Sequence, residues 1–401
     1  MDELLSGIRV LEISRGPSSA LCSRQLASLG AEVIRVDSLL KNYLEHIDPL
    51  IDGQGAVYQT LSCGKKSIWL DLERQSAQAI LCRLAISSDV VVTDLPDGER
   101  QRYGLGHDHL KKDNPSGVYC YIADVEDDCP WGSAATELEL QAMSGFVDWL
   151  GEAGQAPVRV GADVAQWSSA NYAFLGIISA LFHRQRTQVG QMVETSGLRN
   201  LMGQAWWLTS LSDPDRWAGW ICSGLTDNAE TGYKTADRPI IWGLSLGGLE
   251  KGKKAFPELC RRVGLEELLD DPYFVEHGSR MIGVGRDAQE FKPIIESAFE
   301  TRSSEELLKL IDELGGQGAV FQDYEQVVNH PHIKELGLVS EVEDSACALR
   351  VISSCWDFSR SGTPTIRNRP PREGEHTQEI LRSLGYSEQE IDNMQSEGIT
   401  R

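Results

Sequence analysis

The chain has 401 residues, 41% of them hydrophobic and 24% charged, with a formal net charge of −22. That length predicts two domains of an ordinary globular protein, and no stretch approaches the roughly 18 uninterrupted apolar residues of a membrane span. The acidity excludes nucleic acid as a partner, since phosphate binding needs a basic face, while leaving room for a local pocket that holds one anionic cofactor.

The opening Met-Asp-Glu-Leu-Leu-Ser-Gly is acidic and reads as no signal or transit peptide. Ile8–Ile13 predicts a strand, Ser18–Leu29 a helix stopped by Gly30, and Ala31–Asp37 a second strand. A short crossover of this kind implies parallel pairing. The pattern repeats as strand Ser67–Leu72, helix Gln75–Ser87 and strand Asp89–Thr93, then a short helix near Leu105–Lys111 and strand Gly117–Ile122. Such alternation predicts an α/β fold with a doubly wound parallel sheet.

Asp163–Gln185 is the longest helical pattern, and its small residues Ala170, Ala173, Gly176 and Ala180 suit close packing against a helix or a partner chain. The character then changes. Thr235–Pro239 predicts a turn into strand Ile240–Trp242, followed by helices Phe256–Val263, Phe291–Phe299 and Ser304–Leu314 in a smaller α+β domain. Strand-like segments resume near 319, and helices Thr377–Leu384 and Glu388–Ser396 close the chain. The expected division is 1–210 with 320–401 as the large domain and 211–319 as the small one. Nine scattered cysteines without a CxxC pair give neither a disulfide framework nor a zinc signature, and no metal site is expected. They read as reduced thiols of a cytoplasmic protein, with Cys22, Cys82 and Cys120 in the core.

Several segments in order resemble the family III coenzyme A-transferases. They are Gly7–Glu12, Leu29–Asp37, Gly64–Ile68 with Leu70–Leu72, Arg102–Gly106 through Asn114-Pro115, Gln141–Gly145, Gly176-Ile177 through Gly190-Gln191, and Gly374–Thr377 with Leu384–Ser387. The resemblance implies a Rossmann-like large domain built from both termini and a small central domain, in dimers interlocked like linked rings. It also implies a coenzyme A thioester as substrate, with no permanently bound cofactor.

In this family an aspartate carboxylate attacks the acyl-CoA thioester, and the mixed anhydride is then opened by CoA thiolate. Counted back from Gly176-Ile177, that position falls on Gln166. A carboxamide carries no charge and cannot perform this step. Asp163-x-x-Gln166 instead fits a capping box at the start of the long helix. Asp163 and Glu137 are the fallback carboxylates, Glu137 also fitting a structural role at a helix start. Related racemases pair a group at the Glu137 position with an upstream histidine, and Ala123–Cys129 contains none.

Arg15 and Arg102 match places where the family meets CoA, and each equally fits a solvated surface arginine. Ser38 and Ala134 stand where the formyl-CoA enzymes keep an arginine and a lysine. Such cations make strong charge-assisted contacts with phosphate. No run of consecutive glycines resembles the mobile loop of some members; Gly247-Gly248 and Gly315-Gly316 are the nearest.

The leading expectation is a non-catalytic subunit of a heteromeric CoA-transferase, with a paralogous chain supplying the aspartate. Among heteromeric members the resemblance is to the non-nucleophilic chain of benzylsuccinate CoA-transferase, which moves CoA from succinyl-CoA to (R)-benzylsuccinate in toluene breakdown. Trp167, Trp206 and Trp207 suit either an aromatic pocket or the core. The alternatives are an active homodimer using Glu137 or Asp163, and a CoA-binding or structural protein without catalysis.

Overall fold

A computed structural model describes residues 3–38, 42–131, 134–147, 156–204, 232–244, 249–272, 274, 291–342, 349–366 and 368–401. Trp206, Trp207 and Gly247-Gly248 lie outside the described residues. The chain divides into two compact units, the first made of Met1–Phe146, Gly161–Gln204 and His330–Arg401, the second of Val147–Val160 and Ala205–Asn329.

The first unit carries β1 (Arg9–Ile13), α1 (Pro17–Ser28), β2 (Glu32–Asp37), the short hairpin β3 (Leu50–Ile51) and β4 (Gln54–Gly55), α2 (Ala56–Ser62) and β5 (Lys66–Trp69). Next come α3 (Gln75–Ile86), β6 (Val90–Thr93), α4 (Asp97–Arg102), α5 (His107–Asp113) and β7 (Val118–Ala123). The series continues through α6 (Glu137–Met143), α7 (Val164–Thr187), β8 (Met192–Ser196) and α8 (Gly197–Gln204). Six strands form one parallel sheet in the order β5-β2-β1-β6-β7-β8.

The pleat explains the apolar runs. Leu11, Ile34, Val36 and Val91 enter one face beside Leu81 and Leu84 of α3, while Val10, Val33, Val90 and Val92 enter the other beside α1 and α7. Strands buried on both faces read as continuous Val, Ile and Leu. The family-like Lys65 is internal: its Nζ meets Glu12 Oε2 at 2.6 Å, Ala20 O at 2.8 Å and Ser23 Oγ at 2.9 Å. Gly190 is required by crowding, because a Cβ there would stand 2.0 Å from the Gly117 carbonyl oxygen.

The expected strands and helices between residues 7 and 122 agree with those observed to within a few residues. β8, not anticipated, extends the sheet beyond β7. Residues 374–401 return to the β5 edge: Gly374 N donates to Ser67 Oγ at 2.7 Å, Ser67 N to His376 Nδ1 at 3.2 Å, and Asp71 N to Ile399 O at 3.0 Å. Gly374 has φ +69°, in the left-handed region, and its Cβ would lie 3.0 Å from that of Trp69.

In the second unit, Ile240–Gly243 pairs antiparallel with Gln317–Val320. The strand-like pattern starting at 319 therefore begins within this unit, and the pair Val339–Val342 with Leu349–Ile352 belongs to the first. Helices Leu249–Val263, Lys292–Phe299 and Ser304–Glu313 enclose Phe256, Leu259, Phe299 and Leu307. Asp237 accepts from Ser304 N at 2.7 Å, and bonds of this kind hold its carboxyl down at about 2. Among the described residues no helix is long and apolar enough to cross a membrane.

Candidate active-site cleft

The strand order locates the site before any side chain is considered. From β1 the chain winds outward through β2 and β5, then returns to β6 and winds the other way through β7 and β8. In open α/β sheets ligands bind outside the carboxyl ends of the strands at such a reversal. A cleft of about 510 Å³ lies there, lined by residues that follow β1 (Arg15, Gly16, Pro17), β6 (Asp94, Pro96) and β7 (Asp124). Ile122 of β7, Tyr43, Thr136, Glu137, Asp163 and Gln166 complete most of the wall.

Gln166 sits in the first turn of α7 and faces this cleft. Its side-chain oxygen accepts from Ser18 Oγ, and its amide donates to Asp124. The Asp163-x-x-Gln166 capping box is not formed, because the Asp163 side chain makes no capping bond to α7. Glu137 caps α7 from α6 instead. Its Oε1 accepts from Ala165 N at 2.9 Å, its Oε2 from Gln166 N at 3.1 Å, and Oε1 again from Gln141 Nε2 at 2.8 Å. These backbone donors are among those a helix start leaves without intrahelical partners. Thr136 and Glu139 form a separate capping box for α6.

Asp94 closes the floor, accepting from Arg15 N at 2.9 Å and Gly16 N at 2.8 Å. Burial nevertheless pushes its carboxyl up to about 6, with Glu12 and Asp124 adding to the effect. Burial also raises Asp124, against the lowering bonds from Ala135 N and Gln166. The Tyr43 phenol is raised by burial and then by the charges of Asp163, Asp124, Asp94 and Glu137. Arg15 is the one cation among the described lining residues, and Glu99 takes its guanidinium in two contacts of 3.0 and 2.6 Å. Two like-charged neighbours and loss of water both favour the neutral carboxyl, which is why these groups hold their protons longer than free ones.

The structure thus brings together Arg15, Glu137, Asp163 and Gln166. Arg102 is elsewhere, at the end of α4, paired with Glu73 on the surface and 5.6 Å from the Tyr103 ring centroid. Trp167 is exposed and outside the cleft lining, and no histidine is among the described lining residues. Asp94, Asp124 and Ser18 were missed by sequence reasoning. The signal for Asp94 was its place directly after a predicted strand, and Asp124 follows the predicted strand Gly117–Ile122 by two positions.

A doubly wound α/β protein with a carboxylate-bearing cleft at its switch point has the architecture of a protein that binds a small-molecule ligand there. The family is given by sequence: the model of CoA-transferase family III matches residues 5–377, and this chain belongs to that family. The human alpha-methylacyl-CoA racemase is 28% identical, over 98% of this chain and 97% of its own. The succinyl-CoA:(R)-benzylsuccinate CoA-transferase subunit BbsE of Thauera aromatica is 26% identical, with 98% and 97% covered. A CAIB/BAIF family protein of Brucella suis shares the fold, with a TM-score of 0.82 at 22% identity over 96% of this chain and all of its own.

Proposed function

We propose that this chain is the subunit of a heteromeric CoA-transferase that lacks the nucleophile, a paralogous chain supplying the attacking carboxylate. The observation that carries this reading is the state of Gln166: a neutral carboxamide held between Ser18 and Asp124 in the first turn of α7. Glu137 is drawn on by three donors and is a poor substitute, since each bond lowers the energy of the electron pairs an attack would use. The reaction moves CoA from succinyl-CoA to a carboxylic acid such as (R)-benzylsuccinate, a substrate pair carried over from the subunit BbsE relative. The two chains interlock, and CoA is held mainly by the partner, with Arg102 and Arg15 at most peripheral to it. The complex is cytoplasmic.

A second reading has one observation in its favour. Asp124 places a carboxylate beside Gln166, in the cleft itself, so a chain active alone would use it as the nucleophile. One experiment separates the two. CoA transfer from succinyl-CoA to benzylsuccinate is measured for this chain alone and co-expressed with a paralogue carrying aspartate at the Gln166 position. We expect turnover only with the paralogue, and Gln166→Ala within about threefold of it. Turnover by the chain alone, abolished by Asp124→Asn, would establish the second reading instead.

A further inference from the structure

The carboxylates that line the cleft are not equivalent. Glu137 is committed to the start of α7, and Asp124 takes Ala135 N at 3.4 Å and the Gln166 amide. Asp94 is held by backbone alone among the described residues: Oδ2 accepts from Gly16 N at 2.8 Å and Arg15 N at 3.1 Å, Oδ1 from Arg15 N at 2.9 Å. A carboxylate oxygen has two acceptor positions, so Oδ1 keeps one open beside the cavity that Asp94 lines. Four titratable groups face Asp94: Glu12 of β1, Asp124 after β7, and the phenols of Tyr43 and Tyr121. The nearby cations are spoken for, Lys65 by Glu12 and the Arg15 guanidinium by Glu99.

A carboxylic acid that accepts CoA arrives at this wall as an anion, since a free carboxyl loses its proton near pH 4. The two helix starts that would attract it are already met, the amides before α1 by Asp94 and those of α7 by Glu137. The anion therefore comes up against Asp94 and Asp124, with no unpaired cation among the described lining residues. Two carboxylates brought into contact do not both stay ionised: one takes up a proton, and the two then titrate as a pair. A proton between them makes a short, charge-assisted hydrogen bond. Asp94 is suited to that partnership by its open position on Oδ1, by amide bonds that fix its orientation, and by its readiness to be protonated. Burial, then Glu12 and Asp124, already raise its carboxyl to about 6.

We propose that Asp94 determines specificity in the cleft: it binds a carboxylic acid through one proton shared between the two carboxyl groups, so that ligand and proton are taken up together. This rests on the CoA-transferase reading, in which a carboxylic acid accepts CoA. The probe is 3-phenylpropionate, a fragment of benzylsuccinate whose single carboxylate stays ionised above pH 6, titrated calorimetrically into the full chain. From pH 6 to pH 8 its affinity should fall about tenfold or more, because binding consumes a proton that grows scarce above the Asp94 range. Titrations at pH 7 in two buffers of different ionisation enthalpy should report about one proton taken up per ligand. Affinity that ignores pH, binding without proton uptake, or no binding overturns the proposal. None of these outcomes bears on the subunit reading, which turnover with the paralogue decides. Asp94→Asn puts a permanent donor in the same place, so it should bind the probe about tenfold or more tightly than wild type at pH 8, with the pH slope gone. An asparagine variant that binds more weakly and keeps the wild-type slope overturns the assignment to Asp94. Should that variant misfold, the two-buffer titration of the wild-type chain decides.

Discussion

Two ionisable clusters sit near the carboxyl end of the same sheet and are built on opposite rules. Around Lys65, with 0% of its side chain exposed, every charge is matched: Glu12 accepts from Lys65 Nζ, from Ser23 and, at 2.8 Å, from Ser14. Around Gln166 the carboxylates of Asp94, Asp124, Glu137 and Asp163 crowd one cleft, whose lining arginine is engaged by Glu99. The first arrangement ties β1, α1 and β5 together. In the second, burial holds Asp94 and Asp124 above their ordinary values, and carboxyls raised in this way concentrate where chemistry or binding occurs.

The contrast can be broken most sharply at Lys65. Lys65→Met leaves Glu12 buried without its counter-charge and should cost about 3–5 kcal/mol in a urea titration. A loss under about 1 kcal/mol would mean that the pair is no tighter than an exposed one. Asp94→Asn probes the other cluster. Asp94 holds its proton more firmly folded than unfolded, with an ordinary value of 3.8 raised to about 6. Between those values the folded chain binds more protons, so its stability falls as pH rises through this window. The asparagine variant loses that decline and should gain on the order of 1–3 kcal/mol relative to wild type on going from pH 4 to 7. Parallel stability curves would show Asp94 to be unperturbed. The smallest effect is expected at Glu137, where Glu137→Ala removes the cap of α7 and should cost about 1 kcal/mol in the same denaturation assay.

Much of the sheet was legible because parallel strands covered on both faces announce themselves as apolar runs, as in Val90-Val91-Val92. β8 was not, since Met192-Val193-Glu194-Thr195-Ser196 is an edge strand with a half-exposed start and only two apolar residues. The site was legible at Gln166, where a change of side-chain chemistry is visible in a single letter. Its surroundings were not. Asp163-x-x-Gln166 has the local spacing of a capping box, and nothing local discloses that Glu137 arrives from 28 positions away to take that role. Nothing local joins Asp94 and Asp124, which the strand order alone places on one wall. Lys65, in the family-like motif Gly64–Ile68, is fully enclosed and paired with Glu12 in the core.

The seam between β5 and residues 374–401 bears on how this chain comes into being. Ser67 and His376 are separated by 309 positions, so during synthesis the outer strand of the sheet emerges long before the residues that cover it. For most of that interval β5 offers a bare edge, the kind that invites pairing with another chain. Closure over so long a loop is slow to find its partner but only mildly disfavoured once found. A nascent chain of this design is most exposed to wrong partners, and to right ones, in the roughly 15–60 s before its last helices are made.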